Sequence, residues 1–281
     1  MLDPVIKWSG SKRSQAKEIV SRIGDGYDTY YEPFCGGCSV LWYILNNCPN
    51  KFKSFICNDY NDELIATFQR IMSNWRGLFD NYRELWSELN FDDNMNRRKR
   101  MFNDIRDELN RTHDPDLFFF IMRTTTKGMP RYNSDGQFNN SFHFSRKGME
   151  PKRMMKILEK WSDMLNKYNV RFLNYSYYNI NDVKKNDFMY LDPPYANAKG
   201  MYYGVINYSE LWDYMRKLPC DYMLSFDGTA GDENNVYDVP KDVYDEHLML
   251  PSGKSSFRRL HSTPKDVAVY ESLYVKHNLT N

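Results

Sequence analysis

Apolar positions along this chain follow two rhythms, and the change from one to the other predicts its architecture. Spacing of three and four residues marks amphipathic helices. It occurs from about Ser14 through Ala16, Ile19, Val20 and Ile23, and again through Leu41, Trp42, Ile44 and Leu45. It then runs across 62–88 through Leu64, Ile65, Phe68, Ile71, Met72 and Trp75. Further helices are predicted after Arg97-Arg98-Lys99-Arg100 through Met101, Ile105 and Leu109, over 116–122, from Pro151 through Met154, Met155, Leu158, Trp161 and Leu165, and over 208–218. Short apolar runs closed by polar or glycine residues mark strands. They are expected before Glu32, over Phe55-Ile56-Cys57, at 170–173, at Phe188-Met189-Tyr190-Leu191, at 222–226 and at 267–275. Two strand ends precede a long helical and looped stretch, and strands resume after it. The expectation is an α/β fold whose sheet, from 1–61 and 166–281, is interrupted by a mostly helical and looped insert over 62–165.

Composition changes that picture in one place. The chain has 281 residues, 41% apolar and 16% aromatic, enough for a packed core, and its formal net charge is +1. Overall charge therefore says nothing for a nucleic-acid partner. Between residues 123 and 160, however, nine Lys or Arg face three Asp or Glu, so the neutral whole conceals a basic insert. Within 123–149, Lys127, Arg131, Arg146 and Lys147 alternate with Tyr132, Phe138, Phe142, His143 and Phe144 on glycine-bearing loops. Such a mixture suits phosphate and base contacts; it equally describes a loop-rich subdomain with a small aromatic core. The Arg97–Arg100 tetrad is expected on a solvated face, with DNA contact as the alternative. Five cysteines suggest reduced thiols inside a cell, and Cys35-x-x-Cys38 lacks the second pair that a zinc site needs, so no metal is expected. No run has signal-peptide or membrane-span length, and there is no repeat.

Four stretches carry candidate chemistry. Lys7-Trp8-Ser9-Gly10-Ser11-Lys12-Arg13 is a cationic turn before a helix, either an anion site or a solvated turn. Cys35-Gly36-Gly37-Cys38 follows a strand and lets the backbone take positive φ and approach a ligand. Asp59 ends the next strand about 20 residues on, where doubly wound folds place a ribose-binding acid; it could equally cap the following helix, although Asn61 could do that instead. Asp192-Pro193-Pro194-Tyr195 closes the buried 187–191 run. It presents a carboxylate, a carbonyl on a residue without an N–H, and a flat ring. Two acceptors and a stacking face suit an exocyclic amine on a planar base.

Together these motifs closely resemble the Dam-type, D12-class DNA adenine methylases often carried by phages and restriction systems. The resemblance rests on Lys7-Trp8-x-Gly10-x-Lys12, Glu32-Pro33-Phe34-x-Gly36-Gly37, Asn58-Asp59-x-Asn61, Arg131-Tyr132-Asn133 through Gly136-x-Phe138-Asn139, and Asp192-Pro193-Pro194-Tyr195, in the family's order. It implies a Rossmann-like, seven-stranded, S-adenosylmethionine-dependent methyltransferase sheet with a target-recognition insert. The implied reaction is methyl transfer to adenine N6 in a short duplex motif by base flipping. By the same resemblance Asp192, Pro193 and Tyr195 are catalytic. Trp8, Lys12, Glu32, Phe34, Gly36, Gly37, Asp59, Asp182 and Asp192 line the cofactor. Lys7, Lys127, Arg131, Asn133, Asn139, Arg146 and Lys147 contact double-stranded DNA. The setting would be the cytoplasm of a bacterial or phage-infected cell, on DNA, with a cognate restriction endonuclease acting separately and no membrane. Thr126-Lys127 and Asn139-Asn140-Ser141-Phe142-His143-Phe144 depart from better-known members, so their GATC site does not carry over.

Other classes remain open on the residues alone. Cytosine N4 offers a similar amine. A catalytically silent DNA-binding protein would use the same fold. A nicotinamide enzyme would need the full glycine fingerprint, which is absent.

Overall fold

The structure, a computed structural model, describes residues 3–195, 206–254 and 268–278. In chain order the elements are α1 (Ala16–Ser21), β1 (Thr29–Glu32), α2 (Ser39–Asn47), β2 (Ser54–Asn58), α3 (Asp62–Leu89), α4 (Met95–Thr112), α5 (Pro115–Thr124) and α6 (Pro151–Lys167). They continue with β3 (Arg171–Leu173), β4 (Phe188–Leu191), α7 (Tyr208–Arg216), β5 (Asp221–Ala230), β6 (Glu233–Asn234), β7 (Glu246–Lys254) and β8 (Ala268–Lys276). Two compact units result. One joins Lys12–Asn58 to the described residues from Tyr175 onward; the other joins Asp59–Asn174 to the chain up to Ser11.

The first unit is built on a mixed sheet in which β2, β1, β4 and β5 are successive parallel neighbours, followed by antiparallel β8 and β7. All four residues of β4 are buried, as a central parallel strand requires. The strand order reverses at β1, which lies between β2 and β4, so ligands are expected at the carboxyl ends of β1 and β4. Met189, Leu191, Leu211, Trp212, Leu224 and Phe226 pack the core beneath that edge. β8 runs antiparallel to β5 with Leu224 opposite Tyr274 and Phe226 opposite Ser272. That direction carries the first half of β8 to the same edge. β7 was not expected from the sequence: it lies at the end of the strand order, contains Pro251, and mixes polar with apolar residues.

The second unit is helical around α3, α5 and α6. Phe68 stacks on Phe172 of β3 at 4.8 Å and lies 5.8 Å from Trp161, and Phe118, Phe119 and Phe120 are fully buried. Three expectations change here. The helix over 62–88 is broken at Asn74, whose backbone leaves the helical region and whose side chain instead accepts from Gly77 N–H. The basic tetrad is no uniform solvated face: Arg98 is buried, donating to the Leu89 carbonyl and pairing with Asp93. The N-terminal residues join this unit rather than the sheet, because Arg123 donates to the Pro4 and Val5 carbonyls and Trp161 Nε1 to the Asp3 carbonyl. No helix among the described residues is long and apolar enough to cross a membrane.

Where β5 bulges against β8, a Cβ on Gly228 would stand 2.0 Å from the Tyr270 carbonyl oxygen and 2.7 Å from Glu271 Cα. Backbone cannot yield as a flexible side chain would. Gly228→Ala is expected to lower stability by about 1–3 kcal/mol, read as a fall in thermal midpoint. An unchanged midpoint would show that β8 moves aside freely.

Candidate active site at the carboxyl edge of the sheet

β4 ends at Leu191, so Asp192 is the first residue to leave the sheet at the edge where the strand order reverses. There its carboxylate meets Lys12, carried by the single 3-10 turn Lys12–Ser14 before α1. Lys12 Nζ lies 2.7 Å from Asp192 Oδ1, 2.8 Å from Oδ2 and 3.5 Å from Glu271 Oε2 on β8. The Tyr195 hydroxyl donates to that Glu271 oxygen at 2.9 Å, and Ser252 of β7 donates to Oε1 at 2.6 Å. The ammonium also stands 4.9 Å from the Tyr195 ring centroid. The ring itself packs against Phe226 at 5.7 Å. One cation is thus shared between two carboxylates, with a phenol and a hydroxyl completing the set.

Burial decides the electrostatics. Lys12 is 4% exposed, and the side chains of Asp192 and Glu271 are 18% and 19% exposed. Desolvation pushes Asp192 up to about 6, against the charge and hydrogen bond of Lys12 and with help from the like charge of Glu271. Burial acts on Glu271 in the same direction, but Lys12, Ser252 and Tyr195 together outweigh it and hold this carboxyl below its ordinary range. Burial and both carboxylates push the Tyr195 phenol well up, so it stays protonated and donates. Near pH 7 the site holds two carboxylates and one ammonium.

The end of β1 is organised differently. Glu32 is buried, and its Oε2 accepts from the Tyr30 hydroxyl at 3.0 Å and from Leu41 N–H at 3.3 Å. It therefore ties the strand to the first turn of α2. The loop between them takes left-handed backbone at Gly36 and at Cys38, with φ of 45° and 54°, and not at Gly37. Cys38 accepts a conformation that normally favours glycine. Asn58 fixes the loop by donating to the Pro33 carbonyl and accepting Cys35 N–H on its own carbonyl. The Phe34 ring lies 5.2 Å from Tyr177. Asp182 is exposed, and its carbonyl accepts from the Tyr31 hydroxyl at 3.5 Å. Burial raises the thiols of Cys38 and Cys57 above their ordinary range.

The helical unit holds the remaining predicted residues. Asn61 caps α3 by accepting from Leu64 N–H, while Asp59 accepts from Asn61 N–H at 3.0 Å. Of the two candidates, Asn61 is the cap. Trp8 is half-buried and Lys7 exposed. Burial, then Arg146 and Arg123, lower the Lys7 pKa. Residues 131–139 form a small hairpin in which Asn139 N–H donates to the Arg131 carbonyl, leaving both side chains exposed and adjacent. Its inward residues, Tyr132 and Phe138, meet edge to face at 5.7 Å. Asn110 bonds both Phe138 N–H and its carbonyl, and Tyr132 donates to Glu63 at 3.2 Å. The Asn133 side chain is spent within the turn on Asp135 and Gln137 N–H. Arg146 Nη1 is buried with no partner among the described residues, and Lys147 pairs with Asp93 at 3.0 Å. The side chain of Lys127 lies outside those described.

Sequence reasoning found Lys12, Asp192 and Tyr195 but not that they meet, and it missed Glu271 and Ser252 as members of the site. Their only signal was a lone acid inside the apolar run of β8.

The donor set suits a sulfonium nucleoside. A buried loop with left-handed turns offers close backbone approach, Phe34 and Tyr177 offer aromatic surface, and the clustered acids suit a positive sulfur. Such a sheet edge fits an S-adenosylmethionine-dependent methyltransferase. The family model for D12 class N6 adenine-specific DNA methyltransferase matches residues 8–233, and the chain belongs to that family. A Type II methyltransferase of Lactococcus lactis subsp. cremoris is 26% identical over 204 residues, covering 69% of this chain and 66% of that protein. One from Methanocaldococcus jannaschii is 29% identical over 213 residues, covering 68% of each. One from Paramecium bursaria Chlorella virus NC1A is 24% identical over 282 residues, covering 93% of this chain and 94% of that protein.

Removing Lys12 strands both carboxylates. Asp192 already has a folded pKa of about 6, above its ordinary value of 3.8, so the cost of its ionisation to folding builds between those two values and is fully present above them. Lys12→Met is expected to raise it further. The variant should lose about 3 kcal/mol at pH 8 and clearly less at pH 5, where the carboxyls take up protons. Denaturant unfolding at the two pH values tests this; an equal loss at both would mean that neither acid relies on the ammonium.

Proposed function

We propose that this chain transfers a methyl group from S-adenosylmethionine to adenine N6 within a short duplex DNA motif. The observation that carries the proposal is the Asp192 carboxylate, held by Lys12 at the sheet edge and followed directly by the Pro193 carbonyl and the Tyr195 ring. S-adenosylmethionine supplies a methyl group on a positively charged sulfur. The target nitrogen is conjugated with the purine ring and is a poor nucleophile. Asp192 and the Pro193 carbonyl each accept one N–H of the amine, drawing it toward tetrahedral geometry and stabilising the positive charge that develops there. The Pro194 carbonyl is taken by the Tyr208 hydroxyl at 3.1 Å, which fixes the turn. The base must leave the duplex at a cost of a few kcal/mol; stacking on Tyr195 returns ~1–3 kcal/mol. No covalent enzyme intermediate is required.

On this reading the helical unit recognises the target. The hairpin presents Arg131 and Asn139 side by side, types that read guanine and adenine edges, while Lys7, Lys127, Arg146 and Lys147 supply phosphate contacts and salt sensitivity. Trp8, Asp59 and Asp182 are assigned to the cofactor or target by their match to the family's motifs. By likeness to the Type II relatives, the methylated motif is one that a separate restriction endonuclease cuts, and the setting is the cytoplasm of a bacterial or infected cell.

Single-molecule sequencing of DNA from cells expressing the chain should show modified adenine in one short motif. In Asp192→Ala the modification should fall by at least ~10²-fold, with DNA binding largely kept; substantial residual methylation would defeat the assignment. Arg131→Ala should relax the motif at one position, costing ~1–3 kcal/mol of discrimination. Weaker binding that is uniform across sequences would instead place Arg131 on the phosphates.

A further inference from the structure

Glu271 is bonded on both carboxylate oxygens by groups from three other segments. Ser252 on β7 holds Oε1, and the Tyr195 hydroxyl and the Lys12 ammonium meet at Oε2. A carboxylate present only to fasten β8 would not need the ammonium that also grips Asp192 at 2.7 Å and 2.8 Å. We propose that Glu271 is a positioning residue for methyl transfer: it gives the ammonium that grips Asp192 a second, longer contact and ties the Tyr195 hydroxyl, so that the charge of Lys12 is divided between two acids and the ring keeps one plane. The inference rests on the methyltransferase reading of Asp192.

The chemistry follows from a count of partners. A lone Asp192–Lys12 pair would spend the carboxylate's acceptor strength on a permanent cation, leaving little for an incoming amine. With Glu271 present, Lys12 has a second carboxylate 3.5 Å away, and Asp192 remains ionised yet available. Tyr195 gains as well. Its hydroxyl is anchored to Glu271 at one end and its ring edge rests on Phe226, so the face offered to a base is set beforehand. The groups facing the Asp192 carboxyl are Lys12 from the turn before α1, Glu271 from β8, Tyr195 from its own loop and Tyr190 from β4.

The test compares wild type with Glu271→Gln, which keeps the shape and one acceptor oxygen but removes the charge. The Asp192 carboxyl is followed by ¹³C NMR titration, and methyl transfer by single-turnover rate against pH on duplex DNA with S-adenosylmethionine. Removing the like charge and leaving Lys12 unshared both favour ionised Asp192. Its titration midpoint and the acid limb of the rate profile are therefore expected to move to lower pH. The single-turnover rate should fall about tenfold, less than the ~10²–10³-fold that loss of a group in direct contact with developing charge costs. KM for DNA should hold. An unmoved midpoint and limb overturn the inference, because a merely structural Glu271 would lower the rate at every pH alike. Should Glu271→Gln fail to fold, Ser252→Ala decides: a smaller fall with the limb displaced supports it, and a wild-type rate and profile overturns it. Asp192→Ala run alongside tests the underlying reading. If methylation survives there, that reading fails, while the NMR titration, which needs no turnover, still tests the link between Glu271 and Asp192.

Discussion

A single buried ammonium between two carboxylates governs how this sheet edge is built. Lys12, Asp192 and Glu271 come from the turn before α1, the end of β4 and the first half of β8, and each is costly to bury alone. They can be buried only if all three segments arrive together. The antiparallel direction of β8 is therefore a requirement of the site: a parallel strand there would open at the opposite edge and leave Glu271 far from Lys12. The bulge at Gly228, where β5 and β8 approach closely enough to exclude a Cβ, lies beside Glu271.

The acids at the ends of β1 and β4 illustrate how environment separates roles. Glu32 is 3% exposed and accepts from Tyr30 and from a backbone N–H of α2, so it shapes the loop. Asp192 is more open and shares its charged partner with Glu271. Both follow from position in a doubly wound sheet; the difference between them lies in what the neighbouring strands bring.

Local rhythm carried most of the fold in the sequence. The four buried residues of β4 appear there as an unbroken apolar run, and Asn61 stands where a capping residue is needed. What remained hidden depended on partners distant in the chain. Lys12 and Asp192 are 180 positions apart, and nothing in Lys7–Arg13 indicates which carboxylate will meet it. Glu271 looked like an ordinary polar residue within a strand because β7, the strand that supplies Ser252, has no clean alternation and carries a proline. Arg98 sat in a basic run that suggested solvent, yet its guanidinium satisfies the Leu89 carbonyl. A side chain that serves another segment's backbone leaves no periodic mark.

Charge arithmetic links this arrangement to the proposed chemistry. With Asp192 titrating near 6 and Glu271 held below its ordinary range, the cluster near neutral pH carries two negative charges and one positive. Methyl transfer from a sulfonium to a neutral amine creates no net charge; it moves a positive charge from sulfur to nitrogen. A cluster with a net charge of minus one attracts that charge, and with Asp192 proposed as the group that receives the amine, the attraction grows as charge reaches nitrogen. A neutral cluster of one acid and one lysine would lack this bias. Two acids without the ammonium would share a proton, leaving one of them neutral. Lys12 thus lets both acids stay ionised while the cluster keeps a net charge of minus one.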